Sequence, residues 1–598
     1  MASDALGSQG GSGEGGLSLD EELAILWTLV CAIFVVFMQC GFALLESGAV
    51  RQKNVKNILL KNALDACVST VCWWAAGYAF AYGSCGQSGF IGYSHFFSSD
   101  SPSADSTYWS AFFFSWAFSA TATTVVSGAV AERMQFKAYV IYTGLISAFI
   151  YPLVVHWGCG EAGYAPLLSR TNGLMDFAGS GVVHMVGGGA GLMGAILLGP
   201  RLGRFQEDGS LVHFEPSSPT SMAVGVFILW IGWYGFNAGS TGCFRGCMGV
   251  ASKVAVNTTL SVGSSALTSL FLAVVLGQPG DIAPLLNGIL AGAVSITAGC
   301  AFVKAYAAFV IGIVAAVVYT FSSKLLLRLR IDDPLDASPI HLFCGMWGIL
   351  SVGFFATEAS TESVYHYAND WGVFYGGKGY QLGAQVLGVV VITAWTCGIS
   401  GMLFWGLKKV SGGTCIVAKG RVGWLRVPKE VEVQGLDFAQ SLTGSLFSKY
   451  GAASHWAYDT TLPAFPDANK STGSAASGKV ERSAGSATGI GGVARVSGGV
   501  ARVSGAASQA SGRTSVTNGG QQGANARLSI DMARQSSAGG AVAPVPRVSG
   551  ALAGRASMGS RLPPGTPRGL SRVSGSVQGG VPGRSYTVSP PGDHSWDI

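Results

Sequence analysis

The chain has 598 residues, of which 49% are hydrophobic and only 11% charged, with a formal net charge of +6. A soluble globular domain carries roughly 25% charged residues, and mean hydropathy here is +0.41 although the C-terminal end is plainly polar. These values exclude a soluble enzyme and a nucleic-acid-binding module, and they point to an all-α polytopic membrane protein in a lipid bilayer.

Residues 1–21 are polar and acidic. They have no basic start and no early apolar core, so they read as an outer segment and not as a secretory signal peptide. From 22 to 408 apolar stretches recur, and eleven transmembrane helices are expected. They fall at 22–46, 58–82, 108–131, 138–158, 177–199, 219–240, 251–276, 282–301, 304–323, 338–357 and 380–407. Each is long enough to cross a core of about 30 Å at about 1.5 Å per residue. Many carry Gly, Ala and Ser at i, i+4 spacing, which lets helix backbones approach closely.

Positive charge sets the orientation. With the N-terminus outside, inner loops carry Arg51, Lys53, Lys56, Arg133, Lys137, Arg201, Arg204, Lys324, Arg328 and Arg330. Outer loops carry only Arg170, Arg245, Lys253, Lys304 and Lys378. The N-terminus is therefore expected outside and the C-terminus inside. Lys408, Lys409, Lys419, Arg421 and Arg426, just past the last span, agree.

Residues 409–450 read as a cytoplasmic proximal tail. Residues 451–598 are rich in Gly, Ala, Ser and Arg, a composition that cannot bury a core. RVSG recurs at Arg495, Arg502, Arg547 and Arg572, and Arg527-Leu528-Ser529 varies the theme. Arg-x-Ser is a minimal site for basic-directed kinases. Ser497, Ser504, Ser529, Ser549 and Ser574 are thus candidate phosphosites, with low-complexity drift as the alternative. Of the twelve cysteines, most lie in apolar runs as small hydrophobes. Cys243 and Cys247, near a helix end, leave open a bridge or a metal. No cofactor is expected.

Ionisable groups inside spans are costly, so each is a site candidate. His184 lies in span five and His341 in span ten. A lone histidine there often only bonds two helices, but the pair is patterned. Asp176 precedes His184 by eight residues and Asp333 precedes His341 by eight. Each Asp is placed to cap its helix start. The two spans enter from opposite faces. Eight helical residues rise about 12 Å, so the histidines end about 6 Å apart in depth within a core of about 30 Å. The reversed pattern suggests an inverted repeat, spans one to five against six to ten, with a midplane site between them.

Phe114 and Phe118 lie one turn apart in span three, and span six holds Phe236, Asn237 and Ser240. Aromatic stripes usually pack, but Phe rings beside a Ser hydroxyl form a cation–π site with one acceptor. That suits a small cation with N–H donors better than a hydrated alkali ion. Two neutral imidazoles offer a donor and an acceptor each, so a neutral amine passes where a bare cation does not.

These pieces resemble the ammonium transporter (Amt/Mep/Rh) superfamily, on the branch found in plants and algae. The likeness spans nearly all of residues 22–440. It rests on GFALLESGAVRQKNVKNILLKN at 41–62, GYAFAYG at 77–83, SGAVAERMQF at 127–136 and DFAGSGVVH at 176–184. GFNAGS at 235–240, NGILAGAVSITAGCA at 287–301 and DDPLDASPIH at 332–341 complete it. The resemblance implies a homotrimer with one pore per subunit. It implies an external Phe gate at Phe118 and Phe236, with Phe114 one turn before it. It further implies ammonium recruitment at Ser240, twin histidines at His184 and His341, and a required acid at Asp176. Ammonium, ammonia and methylammonium are the implied ligands, in the plasma membrane.

Two departures stand out. The recruitment-site Trp of the family falls at Cys159, within HWGCG. In the tail, GLD at 435–437 matches, but the following His-Gly is absent and the phosphorylated Thr of plant relatives falls at Ala439. Transport of ammonium is the expected function. An ammonium sensor with little flux and a Rhesus-like electroneutral gas channel are the alternatives, and no motif supports an enzyme.

Overall fold

The computed structural model describes residues 17–84, 89–99, 106–159, 171–277, 281–415 and 420–438. Each expected apolar stretch is a helix. They are α1 (Leu19–Ala49), α2 (55–82), α3 (Ser106–Val130), α4 (136–159), α5 (Ser180–Leu198), α6 (Pro219–Gly239) and α7 (Met248–Val275). α8 (Ala283–Thr297), α9 (Ala305–Arg328), α10 (Ser338–Phe355) and α11 (Tyr380–Lys409) follow. Among the described residues, nine of these are long and apolar enough to cross a membrane. α8 is shorter, and α2 carries Lys56, Lys61 and Asp65. One departure from an all-helical chain follows α11, where Ser411–Cys415 pairs antiparallel with Gly420–Gly423. The tail serines at 497, 504, 529, 549 and 574 lie outside the described residues.

Local chemistry starts the helices. Ser18 and Glu21 form a reciprocal capping box at α1, and Ser218 caps α6 ahead of Pro219. Packing then depends on small residues. A Cβ on Gly225 of α6 would lie 2.5 Å from the backbone N of Leu45 in α1. Backbone contact that close is available only to glycine, and dispersion across such seams is what joins helices in lipid.

Three charges lie buried inside the helices beyond the aspartates and histidines that the sequence singles out. Asp65 accepts from Tyr139 (2.5 Å) and Thr143 (2.8 Å), Lys61 donates to the Met134 carbonyl (2.9 Å), and Glu46 accepts from Asn62 (2.9 Å) and Ser127. All three are buried. Their signal was available, as charges inside apolar runs.

A belt of ion pairs joins the ends of several helices. Arg201 bonds Asp332 at 2.8 Å and Glu132 at 3.1 Å, and Arg51 also pairs with Glu132. Burial opposes ionisation of both acids. The guanidinium of Arg201 outweighs it and holds both carboxyls below the usual range.

The proximal tail returns to this belt. Asp437 accepts from the backbone N–H groups of Lys56 (3.1 Å) and Asn57 (2.7 Å), and Leu436 N–H donates to Asn54 (2.9 Å). Asn54 gives α2 no side-chain cap of its own. Asp437 therefore caps α2 from 380 residues further along the sequence. Asp437→Ala should loosen both amides by about 1 kcal/mol, roughly a fivefold rise in hydrogen exchange there. Unchanged exchange at Lys56 and Asn57 would remove Asp437 from that role.

Candidate functional site

The site is built where α5 and α10 begin. The chain turns into α5 through Gly179, at a left-handed φ of 103° that favours glycine. Asp176 then accepts from the N–H groups of Gly179 (3.2 Å), Gly181 (2.9 Å) and Val182 (3.0 Å). At α10, Asp333 accepts from Ala337 (3.0 Å) and Ser338 (2.7 Å). Both acids satisfy orphan N–H groups at a helix start.

Each helix opens with a π turn, Ser180–Met185 and Ser338–Phe343, and each turn holds the histidine. Such bulges cluster at functional positions. The extra residue per turn was not visible in the sequence. Two glycines then let the turns touch. A Cβ on Gly188, four residues after His184, would lie 2.3 Å from Leu342 N and 2.8 Å from His341 C. A Cβ on Gly345, four residues after His341, would lie 2.7 Å from the Ser180 carbonyl oxygen. The two helices thus approach by the same device, each glycine seated on the other's π turn.

The outcome is a column of rings. The Nδ1 atoms of His184 and His341 are 3.2 Å apart, with ring centroids at 5.2 Å. One Nδ1 carries the hydrogen and the other accepts it. His184 stacks on Phe236 at 5.4 Å and on Trp233 at 5.3 Å. Phe236 stacks on Phe118 at 4.0 Å and 15° between planes, and Phe118 meets Phe114 at 4.7 Å. Both histidines, Phe118 and Phe236 are buried. His184 Nε2 is buried with no hydrogen-bond partner among the described residues. The column therefore offers two imidazole edges inside an apolar sleeve, able to exchange hydrogen bonds with one small neutral donor and acceptor.

Ser240 ends α6 and donates to the Phe236 carbonyl at 2.9 Å, which leaves its oxygen able to accept. Cys159 is the last residue of α4, and its side chain lies outside the described residues. Cys243 and Cys247 are bonded to each other, with Cα atoms 5.8 Å apart, which resolves the open choice between bridge and metal. Sequence reasoning missed Trp233, although it stands one turn before Phe236. It also missed Trp27, whose indole N–H donates to Thr241 at 3.1 Å, because nothing local marks a contact so distant in sequence.

Comparison with known proteins places this arrangement. Residues 26–442 match the model of the Ammonium Transporter Family. The chain is 41% identical over 415 residues to Ammonium transporter 1 member 1 of Arabidopsis thaliana, covering 66% of this chain and 80% of that one. It is 38% identical over 423 residues to Ammonium transporter 3 of Dictyostelium discoideum, covering 70% and 93%. Among solved structures it is similar to one described as Sensor Amt Protein, with a TM-score of 0.63 and 32% identity over 71% of this chain and 99% of that one. Mep2 of Saccharomyces cerevisiae gives a TM-score of 0.60 at 26% identity over 68% and 88%. The Arabidopsis and Dictyostelium relatives are named as ammonium transporters, membrane transporters rather than enzymes. The chain belongs to the ammonium transporter family.

Proposed function

We propose that this chain carries ammonium across the plasma membrane by recruiting the cation outside, taking off a proton and passing ammonia between the histidines. The single observation that supports it most is the column from Phe118 and Phe236 to the paired imidazoles of His184 and His341. Phe114, Phe118 and the Ser240 oxygen form the outer cation–π site, with Cys159 in place of a further aromatic. Burying a bare cation beyond them costs far more than burying ammonia. Asp176 and Asp333 hold the two helix starts and make no contact with the substrate. Eleven spans, an outer N-terminus and an inner tail complete the topology, with spans one to five and six to ten as the inverted halves. The assembly is a homotrimer, and methylammonium is a second substrate. The tail beyond 451 is a target for kinases.

The test is flux in cells lacking their own transporters, read as labelled methylammonium uptake and ammonium-evoked current. His184→Ala with His341→Ala should lower uptake at least tenfold at equal surface protein. Normal uptake in the double variant would refute the mechanism.

A sensor with little flux is the second reading, favoured by similarity to a solved protein named as a sensor. Deleting 451–598 separates the two, because a transporter keeps its substrate dependence and a sensor loses its output. The stacked Phe pair and Ser240 weigh against a Rhesus-like gas channel, which would show ammonia flux without current or saturation.

A further inference from the structure

The turn that follows Ser240 is held from several sides. Thr241 donates to the Ala238 carbonyl at 2.9 Å and accepts the Trp27 indole N–H at 3.1 Å. Trp27 comes from α1, and its ring meets Phe244 edge-on at 6.4 Å. The bond between Cys243 and Cys247 closes Phe244, Arg245 and Gly246 into a small loop. Gly242 and Gly246 take positive φ of 65° and 79°, which lets so short a loop reverse. Arg245 also reaches Asp20 at 2.7 Å, but both are largely exposed, and such pairs contribute little.

Below the turn, space is tight. A Cβ on Gly239 would lie 2.5 Å from Cys31 Cβ and 2.9 Å from the Phe114 ring. The end of α6 is thus pressed against α1 and the outer aromatic, while the loop and Trp27 fix the turn above it. Among the described residues, the only side-chain bond of Ser240 goes back to its own helix. The direction of its free lone pair is therefore set by the backbone of this turn.

We infer that Trp27 and the Cys243–Cys247 bridge are positioning residues for cation recruitment at Ser240, and that external thiol reductants weaken recruitment by opening the loop. This rests on the recruitment role proposed for Ser240. The opening step uses an added dithiol such as dithiothreitol. It gives up two electrons and two protons, its sulfurs close into a cyclic disulfide, and Cys243 and Cys247 become two thiols. The turn then keeps the Trp27 contacts and its own hydrogen bonds but loses its covalent closure.

The experiment measures KM and maximal rate of labelled methylammonium uptake for the full chain, with surface protein quantified in parallel. The chain is assayed with and without dithiothreitol, beside Trp27→Phe, a Cys243→Ser/Cys247→Ser double variant and Ser240→Ala. Trp27→Phe keeps an aromatic ring but loses the donor. Reduction and Trp27→Phe should each raise KM about threefold to tenfold, the worth of one or two weak contacts. Maximal rate should change less than about twofold. The double cysteine variant should show the raised KM already and stop responding to dithiol. If the dithiol shifts KM equally in that variant, or leaves wild-type KM unchanged, the loop has no such role. A KM shift in Ser240→Ala without one in reduced wild type or Trp27→Phe overturns the inference alone. No shift in Ser240→Ala overturns the recruitment reading beneath it.

Discussion

Gly188→Ala is expected to cut labelled methylammonium uptake by about 10- to 100-fold while the chain still reaches the surface. The added Cβ would sit 2.3 Å from Leu342 N and 2.8 Å from His341 C. Neither is the end of a flexible side chain, so α5 and α10 must separate. Overpacking of this kind costs about 1–3 kcal/mol, which a helix bundle of this size tolerates. The site does not. The Nδ1 atoms are 3.2 Å apart, already near the limit for an N–H donor. A further shift of about 1 Å breaks the contact, and misplacement on that scale costs about 100-fold in well-positioned sites. Gly345→Ala should act alike, from the opposite helix. Gly398 has nothing within 4 Å of its missing Cβ, so Gly398→Ala should leave uptake within about twofold. Wild-type uptake in Gly188→Ala would mean that the imidazole contact is dispensable.

That prediction also marks where the sequence stopped being readable. The histidines were legible because each follows an aspartate by eight residues, and a repeated spacing inside apolar spans is rare. The glycines were not. The chain has 87 of them, so one placed four residues past a histidine carries no local mark. The π turns were hidden for a related reason. They shift a helix by one residue, and apolar periodicity through a uniformly apolar span barely registers the slip. The buried charges Glu46, Lys61 and Asp65 stand inside apolar runs, where the sequence shows them but not their partners. The bridge between Cys243 and Cys247 needed the loop geometry, since their spacing alone serves a metal as well.

Asp176→Ala should be the second severe variant, with uptake falling at least about 100-fold. It leaves the N–H groups of Gly179, Gly181 and Val182 buried without their acceptor. Each orphaned buried donor costs about 1–3 kcal/mol, and together they exceed the usual loss of about 1 kcal/mol for a helix cap. The start of α5 should fray, and His184 lies only two residues beyond Val182. Asp176→Asn keeps one acceptor oxygen and should fall between wild type and Asp176→Ala. Asp333→Ala should follow the same order at α10. The check pairs uptake with hydrogen exchange at the amides of 179–184. Lost uptake with unchanged exchange would mean that Asp176 touches the substrate rather than holding the helix.

The tail contact at α2 has a consequence for how the chain is made. Asp437 caps an amide 380 residues earlier in the sequence. At about 5–20 residues per second, that cap leaves the ribosome on the order of 20–80 s after the helix it completes. Through all that time the start of α2 sits at the membrane surface with its N–H groups open to water or to a chaperone. The helix is finished only when every span has been delivered, so its cap forms only after the whole membrane-spanning part of the chain has been made.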